Sequence, residues 1–194
     1  MGQDKASVLF RGKPLIERVL DAVRPLFSRV VIVGRQSEEL HYSRDARPGV
    51  GLAEPFCIPD EEPGKGPLGG LYSALRWAGG RAVFLVGCDM PFVNGALVRD
   101  VVQRMRNGGG AVDAVVPDAV VADVAGRLQP LHAVYSPSCL PLVEQRLRAG
   151  KLSLHGLLAE LSIVKVSEDE VRRIDPDLRS LVSLNRPEEV SRWQ

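Results

Sequence analysis

Residues 82–91 read Ala82-Val83-Phe84-Leu85-Val86-Gly87-Cys88-Asp89-Met90-Pro91. An unbroken apolar run with β-branched and aromatic members predicts a short strand covered on both faces, as inside a parallel sheet. Gly87 closes the run, and Pro91 keeps the strand from resuming. Asp89 is then a lone carboxylate just past the carboxyl end of a buried strand, where open α/β sheets hold their ligands. A carboxylate so placed suits Mg²⁺ on a triphosphate. An aspartate that merely caps the next turn is the competing reading of the same residue.

Outward from this strand, the chain alternates. Pro14 precedes Leu15, Ile16, Val19, Leu20 and Val23 at helical spacing, and Val30-Val31-Ile32-Val33 is a second buried-strand signal closed by Gly34. The polar stretch 36–49 follows, then a short strand within 52–59, a Gly/Pro-rich loop over 63–70, and a helix over 71–78 stopped by Gly79-Gly80. An amphipathic helix is expected over 95–106. Beyond it the pattern predicts strands at 114–116, 131–135 and 163–166 and helices over 138–149, 152–161 and 188–193. The charged stretch 168–179 reads as an exposed excursion. Such alternation implies β-α-β units, hence an α/β fold: a three-layer α/β/α sandwich around a mostly parallel, Rossmann-like sheet. A length of 194 residues fits one domain over 1–194.

Composition excludes several classes. With 45% hydrophobic and 25% charged residues the chain is of ordinary globular type. A net charge of +1 gives no electrostatic footing for nucleic acid or for an anionic membrane surface. The longest apolar stretch, 82–88, is far too short to span a bilayer. Cys57, Cys88 and Cys139 are spaced for neither a redox pair nor a zinc site, and His41, His132 and His155 are equally scattered. No nucleophile elbow, phosphate-binding P-loop, secretory signal or myristoylation pattern occurs, so the expected location is the cytoplasm.

Two further segments carry candidate chemistry. The first is Gly2-Gln3-Asp4-Lys5, where Lys5 is either a phosphate ligand or a plain solvated lysine. The second runs from Asp60 through Gly64-Lys65-Gly66-Pro67-Leu68-Gly69-Gly70. It matches the dinucleotide fingerprint G-x-G-x-x-G letter by letter, with Asp89 following at the expected distance. The fingerprint fails on context: Asp60 to Pro63 separate it from the preceding strand, and Pro67 removes an N–H that should face a pyrophosphate. A glycine segment whose backbone comes close to a flat base is the better account, with a bare surface loop as its alternative.

Taken in order, Gly2-Gln3-Asp4-Lys5, Gly12-Lys13-Pro14-Leu15, Asp60, Gly66-Pro67-Leu68-Gly69-Gly70, Cys88-Asp89-Met90-Pro91 and Asn185-Arg186-Pro187-Glu188-Glu189 resemble the molybdenum cofactor guanylyltransferases, members of the nucleotidyltransferase superfamily with a nucleotide-diphospho-sugar-transferase fold. The resemblance implies that Lys5 contacts the phosphates of GTP, that Asp60 and the segment Gly66, Pro67, Leu68 and Gly69 hold the guanosine part, and that Asp89 binds Mg²⁺. It places Ser183 and Asn185 on the side of the molybdopterin acceptor. The implied reaction is attack of the molybdopterin phosphate on the α-phosphate of GTP, with loss of pyrophosphate; other cofactor-assembly proteins are further implied partners. This chain departs from the family in having Val33 and Ser183 where some members carry Asn. The family's opening strand and Leu-Ala-Gly-Gly-x-Ser-x-Arg-Met-Gly loop are also absent ahead of Asp4-Lys5. The expectation is therefore a longer polypeptide from an upstream start, or a crippled enzyme. Three other functions stay open: a cytidylyltransferase of the same fold, a dinucleotide-binding oxidoreductase, and a non-catalytic remnant.

Overall fold

The computed structural model describes residues 8–34, 54–108 and 116–184, with residues 189 and 193. The described chain opens with a small antiparallel hairpin of β1 (Leu9–Phe10) and β2 (Lys13–Pro14). Pro14 then caps α1 (Leu15–Val23), whose Leu15, Ile16, Val19, Leu20 and Val23 form its buried stripe. β3 (Val31–Val33) and β4 (Phe56–Ile58) pair in parallel. α2 (Gly66–Ala78) ends at Gly79, which takes the left-handed φ of 57° that closes many helices. β5 (Val83–Val86) leads to α3 (Gly95–Arg106), capped by the Asn94 side chain accepting from the N–H groups of Ala96 and Leu97. β6 (Ala119–Val124) and β7 (Arg127–Tyr135) form a long hairpin, followed by a 3₁₀ turn at Pro137–Cys139, α4 (Leu140–Arg148), α5 (Leu154–Leu158), β8 (Ile163–Ser167) and α6 (Glu168–Ile174).

The main sheet has the order β5-β7-β6-β8. Strand alternation sorts its side chains into two cores. Ala119, Val121, Ala133 and Tyr135 face Leu68, Leu71 and Leu75 of α2, with Val143 of α4 and Leu157 of α5. Val120, Ala122 and Val134 face Leu97 and Val101 of α3 and Val171 of α6. Helices on both faces give the expected three-layer α/β/α sandwich; burying each of the larger apolar side chains contributes about 1.5–3 kcal/mol. Among the described residues no helix is long and apolar enough to cross a membrane.

Several expectations need correction. The mostly parallel sheet carries one reversed strand: β7 runs antiparallel to both β5 and β6, so β5, β6 and β8 share one direction, and the β6–β8 and β3–β4 ladders are parallel. The strand expected at 114–116 lies, but for Val116, outside the described residues, and β6 at Ala119–Val124 was not expected. The strand expected at 131–135 starts at Arg127, because Ala125 and Gly126 both take positive φ (50° and 73°) and close a two-residue hairpin. The stretch 63–70 is not all loop, since α2 starts at Gly66. Only Leu154–Leu158 of the helix expected over 152–161 forms. The charged stretch 168–179 opens with α6, secured by a capping box between Ser167 and Glu170, and buries Val171 and Asp175. The helix expected over 188–193 falls almost wholly outside the described residues.

Candidate functional site

β5 ends at Val86, and a tight turn in which Met90 N–H donates to the Gly87 carbonyl at 3.3 Å carries Asp89. Asp89 as a whole is only 9% exposed. Its Oδ2 accepts from Ser183 Oγ at 2.8 Å, and its carbonyl accepts from Leu184 N–H at 2.8 Å. Leu184 is itself buried with Phe10 and Leu15, so the Ser183 segment is anchored independently of the turn. The other oxygen, Oδ1, lies where a side chain on residue 87 would have to go: a Cβ there would sit 2.6 Å from it. Gly87 is thus required by the carboxylate's position. The hydroxyl of Ser183, a residue expected on the acceptor side, holds Asp89, 94 residues away in sequence.

Asp60, just past β4, organises a second cluster. Its Oδ1 accepts from Glu62 N–H at 3.1 Å and from Ser73 Oγ at 3.2 Å. Ser73 shares its one proton with the Gly69 carbonyl at 3.0 Å and accepts from Glu61 N–H at 2.9 Å. The segment 60–65 is thereby strapped across the first turns of α2, and Gly34, just past β3 with φ 93°, faces Asp60: a Cβ on it would stand 3.7 Å from the Asp60 Cβ. That strap by itself requires glycine at position 69. A Cβ there would stand 2.7 Å from the Glu62 carbonyl oxygen. Gly66 needs its φ of 62°, and with Pro67 it is exposed and open to a ligand, whereas the Leu68 side chain is fully buried in the core. Gly69→Ala is expected to cost about 1–3 kcal/mol by forcing backbone apart. Gly70→Ala, where nothing lies within 4 Å, should be neutral or gain up to about 1 kcal/mol. Urea unfolding of the two variants checks the contrast; equal stabilities would remove the strap.

The structure thus brings Ser183 to Asp89, just past β5, and brings Gly69, in the first turns of α2, to Asp60, just past β4. Lys5 and Asn185 lie outside the described residues. Sequence reasoning missed Ser73 and Gly34. Gly34 sits directly after a strand signal, and Ser73 is a polar residue amid Leu71, Ala74 and Leu75, which was the available clue. Cys139 is no nucleophile, because burial pushes its thiol up to about 12.

Among the described residues no group of three or more His, Cys, Asp or Glu could hold a metal. Asp89 alone, with one oxygen fixed by Ser183, does not make an all-protein cage. It does suit Mg²⁺, which keeps most of its coordination for water and substrate phosphates.

Residues 1–165 match the family described as the MobA-like NTP transferase domain. A probable molybdenum cofactor guanylyltransferase of Methanothermobacter thermautotrophicus is 32% identical over 190 residues, covering 98% of this chain and 90% of that protein. The crystal structure of molybdopterin-guanine dinucleotide biosynthesis protein A from Archaeoglobus fulgidus superposes with a TM-score of 0.79 at 26% identity, covering 98% of this chain and 89% of that one. A 2-C-methyl-D-erythritol 4-phosphate cytidylyltransferase from Thermus thermophilus, at 16% identity and a TM-score of 0.61, shares the fold, with 98% of this chain and 91% of that one covered. With its α/β/α layers and its buried aspartate past β5, the chain belongs to the MobA-like NTP transferase family.

Proposed function

We propose that the protein is a Mg²⁺-dependent, cytoplasmic guanylyltransferase that moves GMP from GTP to the phosphate of molybdopterin, forming the guanine dinucleotide cofactor. The observation that carries the reading is the Asp89–Ser183 pair, a buried carboxylate fixed in direction past a strand end, in a chain similar over nearly its whole length to proteins named for this activity. In the reaction an oxygen of the acceptor phosphate attacks the α-phosphorus of GTP. The bond from that phosphorus to the bridging oxygen breaks, and pyrophosphate leaves with the electron pair. Such a transfer needs alignment and charge neutralisation more than a covalent nucleophile. Mg²⁺ held by Asp89 and the triphosphate supplies the neutralisation. Ser183 keeps the carboxylate from rotating, so its second oxygen stays directed for the nucleotide. Asp60 shapes the strap that presents Gly66 and Pro67 toward the base, and Lys5 adds a cation for the phosphates.

Base choice follows from hydrogen-bonding groups left unpaired by the wrong base, which is a strong discriminator. GTP with Mg²⁺ is therefore expected to raise the melting temperature more than ATP or CTP with Mg²⁺. A thermal-shift series over the three nucleotides reads this; equal shifts would overturn the guanine assignment.

A further inference from the structure

The segment 60–65 carries three carboxylates, Asp60, Glu61 and Glu62, and one ammonium, Lys65. Glu61 pairs with Arg76 at 3.3 Å. Among the described residues Lys65 pairs with none of the three, and its Nζ makes no hydrogen bond. The residue is nevertheless held in place. It is half-buried, and its N–H donates to the Glu62 carbonyl at 3.2 Å. A Cβ on Gly69 would stand 3.2 Å from the Lys65 Cβ and 3.3 Å from Asp60 Oδ1, so the two side chains border the same bare face of Gly69. Asp60 uses Oδ1 for Glu62 N–H and Ser73 Oγ, while its Oδ2 accepts nothing among the described residues. One face thus holds a carboxylate oxygen lacking a donor and an ammonium lacking an acceptor, beside the exposed Gly66 and Pro67.

A triphosphate is the wrong ligand for this face, because three carboxylates repel it. A flat, neutral base is not repelled. The edge that fits offers hydrogen-bond donors next to an acceptor. Guanine does so, with N1–H and N2–H beside O6. Adenine and cytosine present an acceptor nitrogen beside an amine, which sets lone pair against lone pair and donor against donor. Uracil has the order of guanine but a single donor, so the carboxylate gains only one bond from it.

We propose that Lys65 is the residue that reads guanine: its Nζ donates to O6 while Asp60 Oδ2 accepts from N1–H and N2–H. The proposal rests on the guanylyltransferase reading and names the side chain within it that sets base choice.

The test is titration calorimetry of the full chain with Mg²⁺ and GTP, ITP, ATP, CTP or 2-aminoadenosine triphosphate, on the wild type, Lys65→Met and Lys65→Arg. Methionine keeps an apolar stem of similar length and drops the charge. Lys65→Met is expected to weaken GTP and ITP, which both carry O6 and N1–H, by about 30-fold each, since a hydrogen bond from a charged donor is lost. ATP and 2-aminoadenosine triphosphate carry an amine in place of O6 and should change less than about twofold. Lys65→Arg should recover most of the GTP affinity, because a guanidinium also donates to O6. Unchanged GTP binding in Lys65→Met would overturn the proposal. So would equal losses for GTP and ATP, which would make Lys65 a phosphate contact. These two results leave the guanylyltransferase reading standing. A wild type that binds CTP as tightly as GTP would overturn that reading and the proposal together.

Discussion

Asp89→Asn is expected to cut guanylyl transfer by about 10³-fold, on the order of 4 kcal/mol of transition-state stabilisation. The substitution is nearly isosteric. The amide oxygen still accepts from Ser183 Oγ, and the backbone bond from Leu184 to the carbonyl of residue 89 is untouched, so the turn should hold. Only the negative charge is lost, and with it the group that anchors a cation on the triphosphate. The melting temperature should move little, and the extra stabilisation that Mg²⁺ gives to bound GTP should vanish. This separates a lost cation site from a lost fold. Full activity in Asp89→Asn would remove Asp89 from the chemistry.

Acid should weaken the fold through His132. This residue lies on β7 opposite Val86, fully buried, edge-on to Phe84 at 5.1 Å, with neither ring nitrogen hydrogen-bonded. Burial pushes its pKa down to about 4, against smaller upward pulls from its own backbone and from Asp175. Between that value and the ordinary 6.5 the unfolded chain binds a proton that the native chain refuses. The native advantage is complete above about 6.5 and is lost as pH falls toward 4, for a total of about 3 kcal/mol. Glu170, held down to about 2 mainly by its bonds to Ser167, loses its contribution in a lower window and does not mask the effect. Urea unfolding at pH 7.5 and at pH 4.5 measures the difference. His132→Leu should flatten the profile and be the more stable protein at the lower pH, since an apolar side chain of similar volume leaves no buried nitrogen unpaired. Identical slopes for the two proteins would contradict the assignment.

What the sequence disclosed was mostly what local physics controls. β5, α1 and α3 fall where apolar runs and helical spacing place them, and α3 has the expected bounds of 95–106. Asp89 was legible because a strand ending is a local event. Its partner was not, since nothing in Ser183 marks a bond across 94 residues. The segment 63–70 misled through its Gly and Pro content. Pro67 is well tolerated in a first helical turn, and Gly69 is dictated by the Glu62 carbonyl, a tertiary contact. The β6–β7 hairpin lacked a usual turn signal because Ala125, rather than Asn or Asp, takes the first positive φ. The capping box Ser167–Glu170 was readable, but the density of charge around it obscured a helix that buries Val171.

The central claim is the transfer itself. The most direct measurement incubates the protein with molybdopterin, Mg²⁺ and GTP labelled at the α-phosphate, then follows label entering the pterin together with pyrophosphate release. The account predicts one pyrophosphate for each labelled guanine dinucleotide, far less product with CTP, and none when molybdopterin is withheld. Label that enters from CTP as readily as from GTP, or that never enters the pterin while the protein remains folded and binds nucleotide, would contradict it.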